Sequence, residues 1–87
     1  MSQTQRAIAE LAECPEVRQR AAVVGAWVWV TFPAPPSEQA RTFLKSHGYR
    51  FNAKRQAWQN SCGRHTGGAK GYDPRTKYGV IPVEEVI

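Results

Sequence analysis

The stretch AWVWVTF, residues 26–32, carries the clearest strand signal in this sequence. It joins β-branched and aromatic residues without interruption, and a proline follows it directly, as is typical of a strand that ends there. Alternation along a strand places Trp27 and Trp29 on one face and Val28 and Val30 on the other. Because both faces are largely apolar, we expect a central strand with one face against a helix and its two tryptophans covered separately.

The segment that follows this strand predicts a short helix with marked ends. Ser37 is a good N-cap for EQARTFLKSHG, and Gly48 supplies the left-handed stop. Apolar or half-apolar side chains recur at helical spacing and predict the buried stripe: Ala40, Phe43, Leu44 and His47. His47, beside the helix end, is interpreted as a partner of the C-terminal dipole.

The next stretch, GYRFNAKRQAWQN at residues 48–60, predicts a β-hairpin with NAKR as its turn. Period two puts Tyr49 and Phe51 on the face opposite Arg50. A domain of this size needs its aromatic rings for its core, so Phe51 and Trp58 are assigned mainly to the interior.

The N-terminal stretch, residues 1–25, reads as helical. Ser2 and Gln5 fit a capping box, and Pro15 ends or kinks the first helix. A second helical piece, PEVRQRAAVVG, would stop at Gly25. Its apolar stripe is narrow, which predicts a loosely docked N-terminal quarter.

The C-terminal third predicts little regular structure. Residues 61–79 are rich in glycine and basic residues and are interpreted as a loop or flexible arm. Residues 80–87 form a strand or tail, in which Val80 and Ile81 could add an edge strand before Pro82. With the core module at residues 26–60, the expectation is one α+β domain. Its order is α-β-α-β-β, with a kinked N-terminal helix and a small, mostly antiparallel sheet packed on one short helix.

Composition excludes several classes of protein. The 87 residues are 41% hydrophobic and 22% charged, which is close to an ordinary folded domain. No apolar run approaches the roughly 20 residues needed to span a bilayer, and the N-terminus lacks a signal core, so we expect a cytoplasmic protein without a membrane partner. Cys14 and Cys62 are interpreted as free thiols.

Charge is segregated along the chain. Residues 41–77 carry nine basic side chains and one acid, whereas the remainder carries three basic side chains and six acids, within a net charge of +5. Such asymmetry favours a nucleic-acid partner, although a solvated surface or a surface for an acidic protein partner would have the same composition.

One part of the chain resembles a known module. The matching residues are Gly48, Tyr49, Arg50, Phe51, Asn52, Lys54, Arg55, Ala57 and Trp58, preceded by VWVTFP. They resemble a small module of uncharacterised function, with a pattern close to ALGFRWDPKRKAWY, that occurs in phage and plasmid proteins beside primase, helicase or conjugation domains. More remotely, the pattern is similar to the HARP-type module of annealing helicases. The resemblance covers about residues 26–60 and implies nucleic-acid work without assigning the module a role.

The leading hypothesis is a non-enzymatic, sequence-independent nucleic-acid-binding accessory protein, a subunit of a larger phage, plasmid or bacterial nucleoprotein complex. Cations displace counterions from phosphates, and flat rings stack on exposed bases. The predicted contacts are Arg41, Lys45, Arg50, Lys54, Arg55 and Arg64, with Lys70, Arg75 and Lys77 as a mobile arm and Trp27 and Trp29 as stacking or interface anchors. The alternative is an inhibitor or adaptor that docks its basic face on an acidic protein. Patterns in the sequence do not distinguish DNA from RNA and leave the oligomeric state open.

Other site chemistries find little support in the pattern. Cys62 and His65 have a C-x-x-H spacing, but a structural zinc site normally shows two close ligand pairs. HTGGAKG lacks the order of a phosphate-binding P-loop, because Gly71 follows Lys70. No nucleophile, base and orienting group stand in a recognisable relation. We therefore predict no metal, no cofactor and no enzymatic activity.

Overall fold

A computed structural model describes residues 2–63 and 74–86 of the chain. The protein is α+β, as predicted, and its five strands form one antiparallel sheet in the order β3-β4-β2-β1-β5. The helices are α1 (Gln3–Glu10), α2 (Pro15–Arg18), α3 (Glu38–Ser46), α4 (Pro74–Tyr78) and α5 (Val83–Val86), with a 3-10 turn at Leu11–Glu13. The strands are β1 (Ala21–Val24), β2 (Trp27–Val30), β3 (Arg50–Asn52), β4 (Ala57–Asn60) and β5 (Ile81–Pro82). None of the helices within the described ranges has the length and apolar character needed to cross a bilayer.

Strand β2 lies at the centre of the sheet, and its alternation agrees with the prediction. Val28 and Val30 belong to the main core, together with Leu11 and with Leu44 of α3. Trp29 lies on the opposite side, in a second, smaller cluster. We call these two sides of the sheet the helix face and the tryptophan face.

The prediction of a second helix over residues 15–25 is wrong beyond the first helical turn. Only Pro15–Arg18 is helical, and Ala21–Val24 forms β1, which pairs with β2 from Val24 opposite Trp27 to Ala21 opposite Val30. Gly25 has a φ of +61° and Ala26 does not have a positive φ, which is the pattern of a two-residue type II′ hairpin turn. A four-residue apolar run fits helix and strand equally well, and pairing with β2 decides for the strand.

The N-terminal helix has the predicted capping box but is not loosely docked. The Ser2 hydroxyl accepts from the Gln5 N–H at 3.1 Å, and the Gln5 side chain accepts from the Ser2 N–H at 2.9 Å. Leu11 and Val17 are completely buried, and the Thr4 hydroxyl donates to the Ala26 carbonyl at 2.6 Å. This N-terminal segment therefore covers the helix face of the sheet. The 3-10 turn before Pro15 interrupts the helix between α1 and α2.

Helix α3 confirms both predicted ends. The Ser37 hydroxyl accepts from the Ala40 N–H at 3.1 Å, and Gly48 has a φ of +85° just beyond the helix. Ala40 and Leu44 are completely buried. The Nδ1 atom of His47 lies 2.8 Å from the Phe43 carbonyl oxygen, so the imidazole is a partner of the helix C-terminus as expected.

The C-terminal part of the chain is more ordered than the predicted arm. Residues 74–78 form α4, which makes the loop interpretation wrong there, while residues 64–73 lie outside the described ranges. The predicted edge strand is present but shifted by one residue: Ile81 and Pro82 pair with Val23 and Ala22 of β1, and Val80 lies before the strand. Pro82 is tolerated there because β5 is at the edge of the sheet.

The Tyr49 side chain is buried at the junction of α3 and β3, and its hydroxyl has no hydrogen-bond partner among the described residues. Burial raises the pKa of this phenol well above its ordinary value, against a smaller opposing effect of the neighbouring Asn60 side chain. Burial of the side chain thus favours the neutral phenol.

Tyr49→Phe is expected to raise the free energy of unfolding by about 1 kcal/mol, because it removes a buried polar group that lacks a partner. Urea denaturation followed by circular dichroism measures the change. A loss of more than about 1 kcal/mol would show that the hydroxyl is hydrogen-bonded in solution.

Candidate nucleic-acid interface

The hairpin of β3 and β4 presents its basic residues on a turn that is held by side-chain hydrogen bonds. The Asn52 side-chain oxygen accepts from the Arg55 N–H at 3.1 Å, and its amide nitrogen donates to Gln59 at 3.2 Å. Gln56 has a φ of +58°, and its side chain donates to the Ala53 carbonyl at 3.1 Å. These contacts pre-organise the turn, so that a ligand that binds there does not have to order it.

Three of the predicted contact residues lie on this hairpin, and we call Arg50, Lys54 and Arg55 the hairpin cluster. Arg50 and Lys54 are exposed and Arg55 is half-buried. Within the described part of the chain, Arg50 and Lys54 have no carboxylate partner. Their positive charge is therefore available to an anionic ligand.

The structure does not place all predicted cations on one surface. Arg50 pairs with Gln59, which in turn pairs with Trp29, so Arg50 points to the tryptophan face. Arg41 and Lys45 are exposed on α3, which covers the helix face through Ala40 and Leu44. The predicted contacts on α3 and on β3 therefore do not share one face of the sheet, because the sheet lies between Arg50 and the two helix cations.

The remaining predicted cations have different environments. Arg64 and Lys70 lie outside the described residues. Lys77 belongs to α4, and its side chain is likewise outside the description. The Arg75 guanidinium carbon lies 5.0 Å from the centroid of the Trp29 ring, which is a cation–π contact. Arg75 is therefore a packed residue of the tryptophan face and not part of a mobile arm.

Trp29 is wrong as a stacking anchor, because its side chain is only 3% exposed. Helix α4 covers the tryptophan face, since Arg75 lies over the Trp29 ring and Tyr78 lies against Gly25 at the β1–β2 turn. A side-chain carbon at Gly25 would come within 3.3 Å of the Tyr78 ring. Trp27 is half-buried and packs beside Trp29. Both tryptophans thus contribute to the second core.

The exposed aromatic ring of the hairpin is Phe51, which the sequence predicts to be a core residue. Phe51 is 52% exposed, whereas Trp58, its cross-strand neighbour, is half-buried against the main core. The two rings meet edge to face, with centroids 5.5 Å apart and planes at 61°. Phe51 lies on β3, which is an edge strand of the sheet, and an edge strand has a neighbouring strand on one side only.

Phe51 and Trp58 form one wall of a groove on the helix face of the sheet. The segment Phe32–Pro36 forms the other wall, Gln56 also lines the groove, and the volume is about 380 Å³. We call this the aromatic groove. Sequence reasoning missed it, although the PAPP segment directly after a strand and the Phe51–Trp58 pair were both visible. The sequence pattern does not show that the proline segment and the hairpin line the same groove.

The cysteines and histidines do not form a metal site within residues 2–63 and 74–86, where no group of three or more potential ligands is found. Cys14 and Cys62 are buried free thiols, as predicted. Burial raises the pKa of the Cys62 thiol, with smaller opposing effects of hydrogen bonds from Thr4 and Val28. His65, the other member of the C-x-x-H pair, lies outside the described ranges.

Comparisons of the chain with protein-family models, curated proteins and solved structures find no match. The fold and the candidate site describe a small α+β protein. It has a five-stranded antiparallel sheet, a basic hairpin at one edge and an aromatic groove beside it.

Proposed function

We propose that this protein is a non-enzymatic nucleic-acid-binding protein that holds DNA or RNA mainly through phosphate contacts, without regard to base sequence. The observation that carries the proposal is the hairpin cluster, of which Lys54 and Arg55 lie on a turn held by the hydrogen bonds of Asn52 and Gln56, and Arg50 on the strand before it. Cations placed in this way release counterions from a phosphate backbone, and a turn ordered in advance loses little entropy on binding.

The net charge of +5 supports the same function. A positive protein attracts a polyanion over a distance of about one Debye length, and this raises the rate of encounter. Arg41 and Lys45 would contribute to this long-range field from α3, on the opposite side of the sheet from Arg50. Direct phosphate contact is assigned to the hairpin cluster, and the protein would act as an accessory subunit within a larger nucleoprotein complex.

Direct titration of labelled single-stranded and duplex oligonucleotides tests this function. We expect binding at about 50 mM salt and a fall of at least tenfold in affinity at about 200 mM salt, because each phosphate contact releases a counterion and this release is less favourable at higher salt. Fluorescence anisotropy measures both affinities. If neither oligonucleotide binds at the lower salt concentration, the proposed function is wrong.

A second candidate is a protein-interaction module that docks on an acidic partner. The exposed Phe51 ring and Arg50 on one edge strand favour it, because aromatic residues and arginine are enriched among interface hot spots. This function would show as copurification with a stoichiometric acidic protein together with failure to bind either oligonucleotide at low salt.

A further inference from the structure

The aromatic groove adjoins the turn that carries Lys54 and Arg55, two members of the hairpin cluster, and together they suggest a more specific ligand. We infer that the groove holds one base of a single-stranded nucleic acid against Phe51 while Lys54 and Arg55 hold the adjacent phosphates. The preferred partner is then a single strand and not a duplex. This inference rests on the proposed function and adds to it a second kind of contact at the same hairpin.

The geometry of Phe51 suits a flat apolar ligand. Its ring is half-exposed, and the edge-to-face contact with Trp58 holds it in place. Across the groove, the segment Phe32–Pro36 contains three prolines, whose fixed φ angles keep that wall ordered before binding. A volume of about 380 Å³ lies at the small end of ligand sites, which measure roughly 300–1,000 Å³.

Stacking on Phe51 discriminates between single and double strands. Bases of a single strand can turn outward and stack on an aromatic side chain, whereas bases of a duplex are already stacked on one another. A duplex could therefore use only the cations of the hairpin. Stacking is also indifferent to base identity, so a base in the groove agrees with sequence-independent binding.

Charge differs between the two segments that line the groove. On the hairpin, the lining residue Gln56 follows Lys54 and Arg55, and consecutive Cα atoms are about 3.8 Å apart, so both cations lie within two residues of the groove. On the proline segment, Pro36 precedes Ser37, whose N–H and hydroxyl both donate to the Glu16 carboxylate, at 3.1 and 2.6 Å. These hydrogen bonds lower the pKa of Glu16. The positive charge beside the groove thus lies on the hairpin segment, and this is where phosphates are attracted.

The charge pattern also separates this occupant from an uncharged one. An apolar peptide or a second copy of this chain would gain nothing from two cations next to a lining residue of the groove, and a second copy would bring its own cations against them. A nucleotide joins an apolar base to an anionic phosphate over a short distance, and the groove presents the matching pair of surfaces.

Phe51→Ala tests the inference in the full chain. We expect affinity for a labelled oligothymidine at about 50 mM salt to fall about tenfold, because one base–aromatic stacking contact is lost, and affinity for a duplex of equal length to stay unchanged. Phe51→Leu, which keeps apolar bulk but removes the flat ring, is expected to lose nearly as much, and Phe51→Tyr to retain binding. The slope of affinity against salt should not change, because no charge is removed.

Val80→Ala is the matched control, since Val80 is also half-exposed, at 50%, and lies next to β5 at the opposite edge of the sheet. It should bind both oligonucleotides like the unmodified protein. Circular dichroism confirms that each variant is folded, which is expected because both side chains are at the surface.

Two outcomes overturn the inference in different ways. If Phe51→Ala binds the single strand as tightly as the unmodified protein, or if it weakens single strand and duplex equally, the groove holds no base, and the proposed function stands on the cations alone. If the unmodified protein binds neither oligonucleotide, the proposed function itself fails and the inference falls with it.

Discussion

Trp29→Ala is expected to lower the free energy of unfolding by about 3–5 kcal/mol, the usual cost of deleting a buried aromatic side chain. Trp29 is 3% exposed in the central strand, where it forms a cluster with Val24 and Ala57 and carries Arg75 of α4 over its ring. Its removal leaves a cavity in the second core and also removes the surface on which α4 packs. Small domains have a free energy of unfolding of only about 5–15 kcal/mol, so this substitution would remove a large part of it.

Urea denaturation followed by circular dichroism measures this loss without depending on tryptophan fluorescence. Trp27→Ala is the matched control, because it deletes the same side chain from the same face of the same strand, at a half-buried position. We expect it to cost about half as much, in proportion to the smaller buried area. If Trp29→Ala kept its stability within about 1 kcal/mol but lost oligonucleotide binding, Trp29 would be a ligand contact and not a core residue.

Replacing Lys54 and Arg55 together with alanine is expected to weaken binding to all oligonucleotides by about tenfold or more at about 50 mM salt. The reason is that both cations lie on the pre-organised turn. The slope of log affinity against log salt should become shallower by about two, one for each phosphate contact. The backbone hydrogen bond from the Arg55 N–H to Asn52 survives alanine substitution, so the turn should keep its shape.

A charge-matched control distinguishes a local contact from the effect of net charge. Arg41 and Lys45 replaced together by alanine remove the same two charges from α3, on the opposite side of the sheet from Arg50. We expect this variant to lose clearly less affinity than the hairpin variant. Equal losses for the two pairs would contradict the assignment of phosphate contact to the hairpin and leave only a general electrostatic attraction.

Much of the fold was predictable because its signals are local. The Ser2 and Ser37 caps, the Gly48 stop and the alternation of β2 each depend on a few neighbouring residues, and all are present in the structure. The Val23–Val24 segment was misread because a short apolar run has no period of its own. Its partner strand begins only three residues later, at Trp27, beyond a tight turn.

The candidate site was predictable only in part. The stretch from Asn52 to Trp58 predicts a basic hairpin, and β3 and β4 form this hairpin in the structure. The predicted roles of two rings are reversed in the structure. Trp29, predicted as an exposed stacking anchor, is buried, and Phe51, predicted as a core residue, is half-exposed. Alternation states which residues share a face of a strand, but it does not state what covers that face.

The sequence by itself determined the capped helices α1 and α3, the alternation of β2 and the concentration of positive charge between residues 41 and 77. Only the tertiary structure decided that α4 covers the tryptophan face, that the prolines after β2 stand opposite Phe51, and that the basic residues divide between two sides of the sheet. The physical reason is that capping and strand alternation arise from neighbours in the chain. Burial and the union of cations into one surface depend on contacts between segments that are remote in sequence.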